Sequence, residues 1–159
     1  MSKRLIARIN GNKITVYLVS DEYVRDCILL PAVEGNDKIV KYLKSSFYIA
    51  ILLDSTKSLF EDRQITSFET YLTDGNWIWS GDLEHYTEKY KFKWPAAFVE
   101  SIRFMTPVNI NTPVEEITKL ELIFHAIRKN IFQEEWNGPG ADLEIPVYEF
   151  EIIDMKHRE

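Results

Sequence analysis

The aromatic stretch TDGNWIWSGDLEHYTEKY, at residues 73–90, constrains the fold of this chain more than any other segment. Asp74-Gly75-Asn76 is a tight-turn sequence, and the alternation that begins with Trp77 and Trp79 predicts a short strand directly after it. The remainder predicts a helix over residues 82–90 with its apolar residues on one face. Because large aromatic side chains mainly bury area, we expect this stretch to form core rather than a ligand site.

Further strands are predicted on both sides of this stretch. Apolar residues alternate before and after Asn10-Gly11-Asn12, which predicts an N-terminal hairpin, and ITSFETYL before NWIW predicts a second hairpin. The apolar run at residues 47–53 predicts a central strand. DLEIPVYEFEII predicts a last strand whose apolar residues change parity, so we expect a bulge near Pro146 and an edge position for this strand.

Helical spacing recurs in four segments, each of which predicts a helix. They start near Asn36, after Ser80 as an expected N-cap, at Pro95, and after the capping box Thr112-Pro113-Val114-Glu115. Hairpins with segregated helices predict an α+β fold with a mainly antiparallel sheet and helices packed against it. At 159 residues, we expect residues 1–159 to form a single globular domain.

Composition excludes several classes of protein. The formal net charge of −6 argues against direct binding of nucleic acid, which needs a basic surface. Cys27 is the single cysteine, so no internal disulfide can form, and the start MSKRLIARINGN lacks the apolar run of a secretory signal. No apolar stretch approaches the roughly 20 residues that span a bilayer. We therefore expect a cytoplasmic protein that does not bind membranes.

The negative charge is concentrated near the end of the sequence. Residues 133–155 contain seven acids and no Lys or Arg, while the other 18 acids nearly balance the 19 Lys and Arg residues. Trp136 lies beside two of these acids, and aromatic residues inside a charged rim are typical of protein-binding hot spots. The alternative is a charged edge strand that only discourages pairing with other chains. The candidate partner-binding residues are Glu134, Glu135, Trp136, Asp142, Glu144, Glu149, Glu151 and Asp154.

An enzymatic site finds little support in the sequence. Asp82, His85 and Glu88 share one face of a predicted helix, and Glu121 and His125 are four residues apart, which suits a metal ligand pair but lacks an HExxH pattern. Cys27 lies among apolar residues, where thiols are usually inert, and no phosphate-binding loop occurs. We therefore expect no catalytic residues, no metal and no cofactor.

Residues 70–102 resemble a segment of the small cytoplasmic immunity proteins of bacterial polymorphic-toxin and contact-dependent growth inhibition systems. The family pattern is roughly TDG-x-W-x-W, D-L-x-x-Y, E-K-Y and L-P-x-x-F-I. The chain departs from it at Ser80-Gly81, where a proline or serine step is usual, and at Trp94, which replaces leucine. The matching positions are Thr73, Asp74, Gly75, Trp77, Trp79, Asp82, Leu83, Tyr86, Glu88, Lys89, Tyr90, Pro95 and Phe98.

This resemblance implies a non-enzymatic inhibitor that binds a cognate toxin domain in the cytoplasm of the producing cell. The acidic tract fits a basic target such as a nuclease, whose substrate cleft it would cover. No toxin-binding residue is carried over from the family, because the matching positions are structural. Two alternatives stay open: a small enzyme that uses the histidine and carboxylate groups above, and a regulatory protein-binding module.

Overall fold

A computed structural model describes residues 4–31, 35–52, 56–57, 59–60, 64–66, 69–103, 114–134, 144 and 146–157. The described residues form an α+β fold, as the sequence predicts. The strands are β1 (Leu5–Asn10), β2 (Lys13–Val19), β3 (Phe47–Leu52), β4 (Thr56–Lys57), β5 (Gln64–Thr66), β6 (Glu69–Thr73), β7 (Trp77–Ser80) and β8 (Glu149–Met155). The helices are α1 (Asp21–Leu29), α2 (Asn36–Lys44), α3 (Leu83–Lys89), α4 (Ala96–Ile102) and α5 (Val114–Ile131).

Six strands form one mainly antiparallel sheet in the order β3-β6-β7-β1-β2-β8. Among the described strands of this sheet, β8 alone runs parallel to its neighbour, β2, in an uninterrupted register from Lys13 opposite Glu149 to Val19 opposite Met155. The short strands β4 and β5 pair separately. Among the described residues, no helix is both long and apolar enough to cross a bilayer.

The sheet buries both of its faces, because successive side chains of a strand point to opposite sides. One face carries Ile6, Trp77 and Trp79, which pack in a cluster with buried residues of α1, α2, α3 and α4. The other face carries residues such as Val16 and Ile78, which pack against the apolar stripe of α5. The result is a sheet between a layer of four helices and a single long helix.

Both predicted hairpins are confirmed. β1 pairs with β2 across the turn at Gly11, and β6 pairs with β7. The second turn is fixed by Asp74, whose carboxylate accepts hydrogen bonds from the backbone N–H groups of Asn76 at 2.9 Å and Trp77 at 2.7 Å. Gly75 has a positive φ of 97°, which a side chain at this position would disfavour. Local turn chemistry is therefore sufficient to place these strands.

Three local predictions are wrong. The strand predicted at residues 47–53 corresponds to β3 (Phe47–Leu52), which lies at the edge of the sheet because β6 is its one partner among the described strands. Ser80 does not cap α3: it belongs to β7, its hydroxyl accepts a hydrogen bond from the N–H of Leu5 at 2.9 Å, and Asp82 is the N-cap. No bulge occurs at Pro146, because β8 begins only at Glu149, and the predicted edge position of β8 is confirmed.

Candidate functional site

The structure places part of the predicted partner-binding set in two different settings. Glu134 follows α5, whereas the other described members lie in or just before β8. Glu135, Trp136 and Asp142 lie outside the described residues. The described members of the β8 group are Glu144, Glu149, Glu151 and Asp154.

Glu134 is engaged inside the fold. Its Oε2 accepts hydrogen bonds from Arg128 Nε at 2.9 Å and Arg128 Nη2 at 2.5 Å, and its backbone N–H donates to the carbonyl of Arg128 at 3.1 Å. A side-on arginine–carboxylate contact of this kind is stronger than an ordinary neutral hydrogen bond. We therefore interpret Glu134 as the residue that fixes the chain where it leaves α5, and not as part of a free acidic surface.

Three of the remaining carboxylates, those of Glu149, Glu151 and Asp154, lie on β8 at the edge of the described sheet, whereas Glu144 precedes the strand. Glu149 and Glu151 are exposed and point to the side of the sheet that carries the four helices. This follows from the register: Glu151 lies opposite Thr15, and the next side chains on the same side of the sheet are those of Ile153 and Tyr17. Asp154 is exposed on the other face. The structure therefore brings the acids together along one edge but does not place them on one flat face.

Two exposed apolar residues occur in the same stretch of sequence. Val147, which precedes β8, is 91% exposed, and Ile152, on β8, is 50% exposed. Glu151 contacts Lys13 at 3.4 Å, but both side chains are half exposed, and an ion pair in this setting contributes little. We define the acidic edge as the exposed residues Glu149, Glu151, Ile152 and Asp154 of β8.

The acidic edge is attached to the body of the protein at both ends of β8. At its start, the N–H of Glu149 donates to the carbonyl of Asn12 at 2.9 Å. At its end, the backbone N–H and the hydroxyl of Ser20 both donate to the carbonyl of Met155 at 3.1 Å. The same hydroxyl accepts from the N–H of Tyr23 and thereby caps α1. The edge is therefore a fixed platform, which lowers the conformational entropy lost on binding.

The side chains of the first candidate catalytic cluster, Asp82, His85 and Glu88, make separate contacts. Asp82 is buried, and its Oδ2 accepts a hydrogen bond from Arg4 Nε at 2.7 Å, while Glu88 is half exposed and lies 3.7 Å from Lys44. Burial raises the pKa of the Asp82 carboxyl above its ordinary value, although the charge of Arg4 acts in the opposite direction. His85 lines a small surface depression that also includes Glu88. We therefore interpret Asp82 as a structural residue that pairs with Arg4 and not as a catalytic group.

The second candidate pair lies on α5. Glu121 is exposed and His125 is partly buried, and burial followed by the charge of Arg128 lowers the pKa of His125. Within the described part of the chain, no group of three or more His, Cys, Asp or Glu side chains is arranged to hold a metal ion. Cys27 is completely buried in the core, away from any reagent in solution.

The aromatic stretch forms core, as the sequence predicts. Trp77, Trp79 and Tyr86 are all at most 1% exposed, and Trp79 meets Phe98 with ring centroids 5.8 Å apart. The guanidinium of Arg4 lies 5.3 Å from the centre of the Tyr86 ring. Most of the residues that carry the resemblance to immunity proteins therefore build the interior, while Glu88 and Lys89 are exposed.

One surface feature was not anticipated from the sequence: a groove between α2 and α4. Lys38 and Tyr42 line it from α2, and Val99 and Arg103 line it from the other side. The spacing of four between Lys38 and Tyr42 was available as a signal that the two share a helix face. The identity of the opposing helix was not, because helical spacing carries no information about tertiary neighbours.

Comparison of the chain with protein-family models, with curated proteins and with solved structures found no match.

Proposed function

We propose that this protein is an immunity-type inhibitor that binds and neutralises a cognate toxin domain in the cytoplasm of the producing cell. The observation that carries the proposal is the acidic edge, where Glu149, Glu151, Ile152 and Asp154 are all exposed on a strand that is fixed at both ends. Exposed carboxylates together with an exposed apolar side chain suit a surface that binds another protein. The resemblance of residues 70–102 to immunity proteins supports the same conclusion.

The chemistry of the edge favours a basic partner, such as a nuclease domain. Glu149 and Glu151 are two residues apart on one strand, so their carboxylates project about 7 Å apart from a rigid backbone. We propose that they occupy positions in the toxin cleft that nucleic-acid phosphates otherwise take. Opposite charge also accelerates the encounter of the two proteins.

The competing interpretation is that the charges only protect an open strand from aggregation. Under that interpretation, reversing them changes solubility but not the affinity for a toxin. The two interpretations can therefore be separated by charge reversal.

The test is growth rescue in cells that co-express this chain with the toxin domain encoded immediately upstream. The key variant carries Glu149→Lys, Glu151→Lys and Asp154→Lys. The matched control carries Glu115→Lys, Glu116→Lys and Glu121→Lys, which makes the same charge change on exposed positions of α5. We expect rescue by the wild type and the control and none by the β8 variant, with the fold of each variant checked by circular dichroism. Full rescue by the β8 variant would remove the acidic edge from the mechanism, and no rescue by the wild type would refute the immunity function itself.

A further inference from the structure

The groove between α2 and α4 is a concave site of about 730 Å³, within the range typical of small-molecule pockets. Its apolar lining comes from Ile39, Val99 and Ile102, together with the ring of Tyr42. Among the described residues that line the groove, the charged ones are Lys38 and Arg103, both cationic, and the remaining lining residue is Gly35. An apolar interior with two cations is the chemistry of a site for an amphipathic anion.

The apolar wall is held in place by the core. Tyr42 donates its hydroxyl to Asp74 Oδ2 at 2.5 Å, and its ring meets the edge of Phe98 at 6.4 Å. Burial, followed by the hydrogen bond to Asp74, raises the pKa of the Tyr42 hydroxyl well above its ordinary value, so it stays protonated. Because Asp74 is buried and fixed by the turn between β6 and β7, this wall does not need to be ordered when a ligand binds.

The two cations are available to a ligand. Lys38 is exposed, and within the described residues it has no carboxylate partner. Arg103 lies 3.3 Å from Glu100, but both side chains are about two-thirds exposed, so water competes strongly with this pair. The local charge is also opposite to that of the chain, whose formal net charge is −6. Positive charge around an apolar groove is therefore a property of this site and not of the surface as a whole.

We propose that the groove binds a small amphipathic carboxylate. Its apolar body lies against Ile39, Val99 and Ile102, and its carboxylate lies between Lys38 and Arg103. The guanidinium of Arg103 is suited to two parallel hydrogen bonds to a carboxylate, and Lys38 adds a point charge. This site goes beyond the proposed immunity function and does not depend on it, because the groove belongs to the helical layer and the acidic edge to β8.

The test is a titration of the full chain with octanoate, followed through the backbone amide resonances by NMR. We expect saturable shifts at Gly35, Lys38, Val99 and Arg103 with a Kd of about 1 mM or lower, as the atom count of this probe allows. Octanamide has the same apolar body without the charge, and we expect it to bind about 10-fold more weakly. Shifts that do not saturate by about 10 mM, or equal binding of the two probes, would overturn the proposal.

Variants assign the binding to the groove. Lys38→Gln combined with Arg103→Gln should weaken octanoate binding by about 10-fold or more, because both changes remove charge from the proposed head-group site. Lys41→Gln is the matched control, since Lys41 is exposed on the same helix but does not line the groove, and we expect it to leave the Kd unchanged. Octanoate affinity that is unaffected in the double variant, or reduced equally by Lys41→Gln, would place the binding elsewhere.

Discussion

Removal of the Arg4 guanidinium should destabilise this protein far more than removal of an exposed charge. Arg4 Nε lies 2.7 Å from Asp82, Arg4 Nη1 lies 2.5 Å from Asp21, and both Arg4 and Asp82 are almost fully buried. Arg4→Met keeps the apolar volume but leaves the Asp82 carboxylate buried without its cation. Breaking a buried pair in this way costs about 3–5 kcal/mol. Asp82→Asn should cost less, because Arg4 keeps its contact with Asp21.

The double variant Arg4→Met, Asp82→Asn tests the pairing itself. If the two side chains stabilise each other, the double variant should lose about 1–3 kcal/mol less than the sum of the single variants. The measurement is urea unfolding at pH 7.5, followed by tryptophan fluorescence. Arg8→Met is the control: Arg8 is an exposed residue of the same strand, 5.6 Å from the Trp77 ring, and its loss should cost about 1 kcal/mol or less.

The sign of the pH dependence follows from the carboxyl that is left behind. Burial already raises the pKa of Asp82, and removing Arg4 takes away the charge that opposes this rise. A raised pKa in the folded state favours the protonated form, so the penalty of Arg4→Met should shrink as the pH falls from 7.5 toward 5. An Arg4→Met penalty below about 1 kcal/mol, or additive single variants, would refute the reasoning.

Three further predictions concern local packing and titration. Gly81→Ala should lower the free energy of unfolding, measured in urea, by about 1–3 kcal/mol, because the added Cβ would lie 2.0 Å from Thr70 Oγ1. Adding Thr70→Ala should recover part of this loss. A Gly81→Ala variant as stable as the wild type would contradict the packing. Cys27 should react with Ellman's reagent only in urea, and rapid labelling of the native protein would show that the thiol is accessible. Because the pKa of His125 is lowered in the folded protein, the unfolded chain binds more protons below about pH 6.5, and the free energy of unfolding should fall from pH 7.5 to 5.5. The variant His125→Gln should flatten this pH dependence. An unchanged slope in the variant would exclude His125 as its source.

The parts of the fold that the sequence predicted correctly depend on short-range chemistry. The turn at Asp74 and Gly75 needs only its own residues, and the stripe of α5 needs only helical spacing. The errors came from contacts between distant segments. Ser80 is a residue type that often caps helices, but its hydroxyl accepts a hydrogen bond from the backbone N–H of Leu5, 75 positions earlier in the sequence. A local sequence pattern does not show which distant strand will pair with that segment.

The candidate site shows the same division between composition and geometry. The count of acids in residues 133–155 identified a charged segment, and β8 exposes Glu149, Glu151 and Asp154 from it. The count did not reveal that Glu134 binds Arg128, because the number of charged residues in a segment does not show where their side chains lie. It also did not predict which layer each acid of β8 faces: the parallel register with β2 places Glu149 and Glu151 on the side of the four helices and Asp154 on the side of α5.

The most direct test of the central proposal is a binding measurement with purified proteins. The untagged chain is co-expressed with the tagged toxin domain encoded immediately upstream, the complex is captured on the tag, and its stoichiometry is determined by size exclusion. The proposal predicts a stoichiometric complex with the wild type and the α5 control, and its loss when Glu149, Glu151 and Asp154 are all changed to lysine. Failure of the wild-type chain to form any complex with that domain would contradict the proposal.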